Sequence, residues 1–201
     1  VQSVQKGYFM IKLLYIFLFS LIFSSNQFEI DNQKSSIQWK GTKSTGSYHD
    51  GFILVDSSIL NIDDNNMLLN GTIIIDMNSI VCTDIQDKES NSYLVKHLKN
   101  DDFFSTELFP KSVLTINKVV PIKDNNYSIT ADLTIKNKTH PIDFIANIII
   151  KDGVGLASGK IEINRAQYDI KYKSQSWYPD IGDRFINDIF ELYFNLLANK
   201  R

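Results

Sequence analysis

Apolar residues return at every second position through most of this chain, and that alternation limits what it can fold into. Tyr127, Ile129, Ala131, Leu133 and Ile135 form one row against Ser128, Thr130, Asp132, Thr134 and Lys136. After a short polar break at Asn137-Lys138, Ile142, Phe144, Ala146, Ile148 and Ile150 form the next. Successive side chains of a strand point to opposite faces, so the two rows predict a hairpin with one apolar face. The pattern recurs at Ile37/Trp39, Phe52/Leu54 against Ile53/Val55, Gly71/Ile73/Ile75/Met77, Val113–Lys118, Ile161/Ile163 and Phe190/Leu192/Phe194/Leu196. Turn-forming clusters separate the runs, at Asp63–Asn66, Asp124–Asn126, Asp152-Gly153 and Asp180–Gly182.

Helical spacing is confined to Asn91–Leu98, where Tyr93, Leu94 and Leu98 share a face and Ser90, Asn91 or Ser92 could cap a short helix. Pro110 closes the connection and a strand restarts after it. Evenly spaced antiparallel strands with one interrupting helix imply a sandwich or a closed barrel. In a sandwich the apolar rows would mesh into a solid core. Ala131 and Ala146, small residues amid large inward ones, favour a hollow, and a barrel of roughly eight strands is wide enough for one small ligand.

The N-terminal region reads differently. Met10 and Lys12 precede an apolar run from Leu13 to Phe23, with Ser20 its only polar residue. That run is shorter than the ~20 residues of a membrane span and matches a secretory signal peptide over residues 1–25, with a retained N-terminal anchor as the alternative. Residues 26–201 then form one domain.

With 21 basic and 23 acidic residues there is no positive excess to attract nucleic acid. A lone cysteine, Cys82, allows no intrachain disulfide and reads as a small buried residue. The three histidines, His49, His97 and His140, are too scattered for metal spacing, and no nucleophile elbow occurs. The run Gly153–Gly159 lacks the lysine and helix of a phosphate loop and reads as a strand with bulges.

Five segments, in order, resemble the YceI-like family of periplasmic lipid- or polyisoprenoid-binding proteins. They are WKGTKSTGSYHDG (Trp39–Gly51), with its Gly-x-x-His-x-Gly loop; GTIIIDMNSI (Gly71–Ile80); LVKHLKNDDFF followed by Phe109-Pro110; ADLTIKNKTHPI; and INRAQYDIKY (Ile163–Tyr172), which is similar to the family's arginine-bearing strand. Asn137 stands where the family usually has glycine, a substitution compatible with positive φ. The segment QSWYPDIGDRF is unusually aromatic for the family.

The resemblance implies an all-β, extended antiparallel β-barrel of lipocalin type with one short helix in a connection. Its interior would hold a polyisoprenoid or other long-chain lipid for transport or storage in the periplasm. No catalysis, cofactor or metal is needed for that, and a homodimer is allowed for. An enzyme acting on a lipid in the same pocket, or an unliganded structural envelope domain, are the alternatives.

The candidate ligand-binding residues are Trp39, His49, Phe52, Phe104, Ile129, Ala131, Phe144, Arg165, Tyr168, Phe190 and Phe194. For the aromatic residues, ordinary core packing competes. Phe103, Phe104 and Phe109 could plug one opening or form a cluster under the helix. Arg165, on the face of Ile161 and Ile163, must meet either an anionic headgroup or an acid such as Asp188 or Asp132. His49 could reach a headgroup or brace its loop. His97 reads as a cap at the helix end, and His140 as exposed.

Overall fold

In a computed structural model the described residues are 26–201, and the segment 1–25, expected from the sequence to be a signal peptide or anchor, lies outside them. The strands are β1 (Asn26–Ile30), β2 (Ser36–Lys43), β3 (Tyr48–Ile62), β4 (Leu68–Cys82), β5 (Lys111–Pro121), β6 (Asn126–Ile135), β7 (Lys138–Lys151), β8 (Val154–Asn164) and β9 (Ile186–Lys200), with helix α1 (Lys88–Lys99) between β4 and β5. All pairings between these strands are antiparallel, and the sheet closes through β3–β4. β1 and β2 both lie between β3 and β9, so they act as one interrupted stave and the barrel has eight staves.

Tight turns explain why the hairpins close so readily. β6 and β7 meet through Lys136 and Asn137, at φ of 49° and 58°. Two left-handed residues make the type I′ turn whose twist suits a hairpin. The polar break is therefore Lys136-Asn137, one residue earlier than the alternation suggested. Asp124-Asn125 and Asp152-Gly153 turn their hairpins in the same left-handed way.

The inward rows of β6, β7 and β9 fall as their periodicity predicts. β3 does not follow the Phe52/Leu54 row. Ile53 and Val55 point in, while Phe52 and Leu54 are exposed, because both sets are apolar and bulges against β4 decide the parity. The segment Gly153–Gly159 enters a regular strand, with no register shift against either neighbour.

Helix α1 begins three residues before the expected Asn91. Its cap is Asp87, whose Oδ1 accepts from the Ser90 amide at 2.8 Å. Asn91 instead ties the helix to the barrel, with Nδ2 donating to the carbonyls of Cys82 and Ile85. This seats Leu98, the buried residue of the helix, against one end of the barrel.

Candidate functional site

The inward rows do not mesh completely. They enclose two apolar compartments that adjoin along the barrel, with Ile37, Ile75, Leu133 and Leu192 lining both. The helix-side compartment, of about 140 Å³, is walled by Trp39, Met77, Leu98, Phe103, Phe104 and Phe190 among others. The distal one, of about 120 Å³, is walled by Ile129, Phe144, Ala146, Ile148, Phe194 and Leu196 among others. Each far exceeds the ~10–15 Å³ that a single water needs. Beyond the distal compartment Phe28, Ile30, Ile62 and Ala198 are buried without lining either space, so β1 packs that end solid. From Asn187 to Leu196, β9 runs on the order of 30 Å alongside the hollow.

Seven of the eleven candidates line this space: Trp39, Phe104, Ile129, Phe144, Arg165, Phe190 and Phe194. Phe144 and Phe194 meet edge to face at 6.1 Å between ring centres, and Phe104 and Phe190 do so at 6.4 Å. Phe103 and Phe104 wall the helix end, whereas Phe109 does not. Trp39 is fixed by its indole, which donates to the Val81 carbonyl at 3.0 Å. That reach depends on Gly51, where a Cβ would lie 1.8 Å from Val81 O.

Four candidates lie elsewhere. Phe52 is on the outer surface. Ala131 faces inward but is fully covered, so it tightens the wall instead of widening the space. Tyr168 is fully buried in a 3₁₀ turn outside the lining, edge-on to His140 at 5.1 Å. Burial pushes its phenol up to about 12. His49 braces its loop, with Nδ1 2.8 Å from Asp84 Oδ2.

The same Asp84 accepts from the Cys82 thiol at 3.1 Å. Burial, and then the Asp84 carboxylate, push that thiol above its ordinary pKa, which suits an inert cysteine. His140, half-buried rather than exposed, donates from Nε2 to the Gln167 carbonyl. His97 makes its contact through Nε2 with Asp102 at 3.0 Å and packs against Tyr172.

Three polar side chains line the hollow, all on the helix side: Ser112, Asn187 and Arg165. Ser112 Oγ donates to Met77 Sδ, and Asn187 Nδ2 to Thr42 Oγ1. Arg165 does not sit on a strand. β8 ends at Asn164, whose side chain accepts from the Ala166 amide and starts the 3₁₀ turn. The guanidinium donates to the carbonyls of Asn187, Ile170, Tyr172 and Ile186, and its Nη2 lies 3.4 Å from Asp188 Oδ1. Burial draws its pKa down, and Asp188 opposes that. Its donors are committed to the protein, so the acid-pairing alternative describes it better than a headgroup clamp.

Sequence reasoning missed Gly41, Ser112 and Asn187. Gly41 alone had a signal, since it continues the Ile37/Trp39 alternation. Among the described residues no group of three His, Cys, Asp or Glu side chains could hold a metal ion.

Residues 28–198 match the YceI-like domain family. No curated protein is matched. Among solved structures, Burkholderia cenocepacia BcnA superposes with a TM-score of 0.65 at 19% identity, covering 84% of this chain and 98% of that one. A polyisoprenoid binding domain from Saccharophagus degradans, implicated in plant cell wall breakdown, gives 0.63 at 15% identity, covering 87% and 98%. The Campylobacter jejuni YCEI protein gives 0.55 at 20% identity, covering 72% and 80%.

Proposed function

Because the chain belongs to the YceI-like domain family, we propose that its barrel binds the tail of a long-chain amphiphile, a polyisoprenoid foremost, and carries or stores it unchanged in the periplasm. The observation that carries this reading is the pair of adjoining apolar compartments that extends from Phe104 at the helix end to Ala146 and Leu196 at the distal end. The polyisoprenoid named for the Saccharophagus degradans domain supports the ligand class. The apolar run Leu13–Phe23 supports export.

Energetics favour a long tail over a short one. Burying apolar chain is worth about 0.8 kcal/mol per methylene. One isoprene unit, with five carbons, would gain only ~4 kcal/mol, at the low end of the ~4–15 kcal/mol that association costs. Several units exceed it. Binding rather than catalysis is supported by the lining: its few polar side chains are hydrogen-bonded to the protein and do not converge as an acid–base pair.

The test is extraction of the purified protein followed by lipid mass spectrometry. An intact isoprenoid or similar amphiphile at near-stoichiometric yield is the expected result. A chemically converted lipid would favour the enzyme reading. Protein that is empty, and that takes up no added isoprenoid alcohol, would end the proposal.

A further inference from the structure

Asn187 lines the helix-side compartment and also an open cleft on the outer face of the barrel. The wall is thin there because the β2–β9 ladder breaks. Pairing runs in step from Ser36↔Asn195 to Gly41↔Phe190 and resumes only at Lys43↔Ile186. Thr42 therefore faces Asn187, Asp188 and Ile189 together, three residues against one.

Backbone groups freed by such a break need other partners. Arg165 takes the carbonyls of Ile186 and Asn187, at 2.9 and 3.1 Å. Across the gap runs a side-chain hydrogen bond, Asn187 Nδ2 to Thr42 Oγ1 at 2.8 Å. Gly41, at the edge of the break, puts no side chain into the compartment, and a Cβ there would meet nothing within 4 Å. The opposite end of the hollow is packed solid by Phe28, Ile30 and Ile62.

Resting on the lipid-tail reading, we infer that this β2–β9 seam is a lateral portal into the hollow, and that the cleft outside it seats an uncharged, hydrogen-bonding headgroup such as an alcohol. A side-chain latch opens at the cost of about one hydrogen bond, whereas a continuous ladder does not. The cleft's charge selects the headgroup. The cleft's carboxylates are already paired, Asp188 with Arg165 at 3.4 Å and Glu191 with Lys160 at 2.8 Å, and the one ammonium in the lining, Lys40, lies 4.6 Å over the Tyr48 ring. A diphosphate would find a single lysine and no cluster of Arg or Lys in the lining to balance its charge. The amides of Gln175 and Asn187, also in the lining, can both donate to and accept from a neutral oxygen.

The probes are geranylgeraniol and geranylgeranyl diphosphate. Entry is read from the fluorescence of Trp39, which lines the compartment, in a Trp177→Phe background. A Thr42→Cys/Asn187→Cys pair, oxidised, is expected to slow geranylgeraniol association about tenfold or more, since binding through a closed seam needs a further rearrangement, with dithiothreitol restoring the rate. Cys82 is buried, its thiol on Asp84, and does not compete for the cross-link. Gly41→Leu, whose Cβ would meet nothing within 4 Å, is expected to slow association as well. Wild-type rates in both variants would overturn the portal. Diphosphate bound as tightly as the alcohol would overturn the headgroup assignment. Failure of the unmodified protein to bind either probe would overturn the lipid-tail reading itself, which separates the two claims.

Discussion

The side chain of Arg165 donates from Nε to the backbone carbonyl of Asn187 at 3.1 Å, joining the 3₁₀ turn after β8 to the broken edge of β9. With its contacts to Ile170, Tyr172 and Ile186 and its neighbour Asp188, this guanidinium replaces ladder hydrogen bonds that the break removes. Arg165→Ala is expected to destabilise the ligand-free protein by roughly 3–5 kcal/mol, the scale of a broken buried charge pair. Arg165→Lys should recover little, because an ammonium has three donors and no planar fork. Urea unfolding of ligand-free protein is the measurement. Full stability in Arg165→Ala, with selective loss of an anionic ligand, would return Arg165 to the role of headgroup clamp.

The partner acid predicts an acid limb. Burial raises the Asp188 carboxyl, but the surrounding serine groups and then Arg165 outweigh that, and its pKa lies below the usual 3.8. A carboxylate lowered in the fold contributes stability that is complete above its unfolded value and is lost as pH falls through the folded one. Stability should therefore drop below about pH 4 in the wild type, and less steeply in Asp188→Asn, whose starting stability is lower. Equal slopes in thermal melts between pH 2 and 5 would remove Asp188 from the account.

Tail length should be set by the distal compartment. Ala146 lines it beside Phe144 and Phe194. Ala146→Leu is expected to lower affinity for geranylgeraniol more than for farnesol, since the added branch fills only the far end. Competitive displacement with the two alcohols measures this; equal losses would mean that the tail never reaches Ala146.

The β6–β7 hairpin, though not the exact position of its turn, and the inward rows on β6, β7 and β9 were legible because each alternates apolar with polar. β3 was not, since Phe52, Ile53, Leu54 and Val55 are apolar on both faces and only the bulges against β4 choose between them. The portal residues were hidden for a different reason. Thr42 and Asn187 lie 145 positions apart and become a pair only where the ladder fails. Arg165 was found as a charge on an apolar face. Its four carbonyl partners carry no side-chain signature that a sequence could display.

The two faces of the wall give a paired test. Phe144→Asp places a carboxylate in an apolar compartment and should abolish uptake, and so, if the fold survives, separate binding from stability. Lys136→Glu, at the hairpin turn, and Phe52→Ser, at 38% exposure on the outer surface, should leave uptake near the wild-type level. Tryptophan-fluorescence titration decides; loss of uptake in Phe52→Ser would put the outer face of β3 in the site.

Two glycines on facing strands should respond in opposite ways to the same added methyl group. At Gly51 a Cβ would lie 1.8 Å from Val81 O and 2.8 Å from Val81 C, both backbone atoms that cannot rotate away. Gly51→Ala must push β3 off β4 and disturb the Trp39–Val81 hydrogen bond, so a loss of at least the ~1–3 kcal/mol of an overpacked site is expected. At Gly41 a Cβ meets nothing within 4 Å, and its φ lies outside the left-handed region. There the methyl group mainly restricts the unfolded chain, and Gly41→Ala should be neutral or more stable by ~0.4–1 kcal/mol. Thermal melts of the two variants, without ligand, make the comparison. Similar losses at both positions would mean that Gly41 does not border open space, and the barrel wall at the β2–β9 seam would then be packed rather than poised to open.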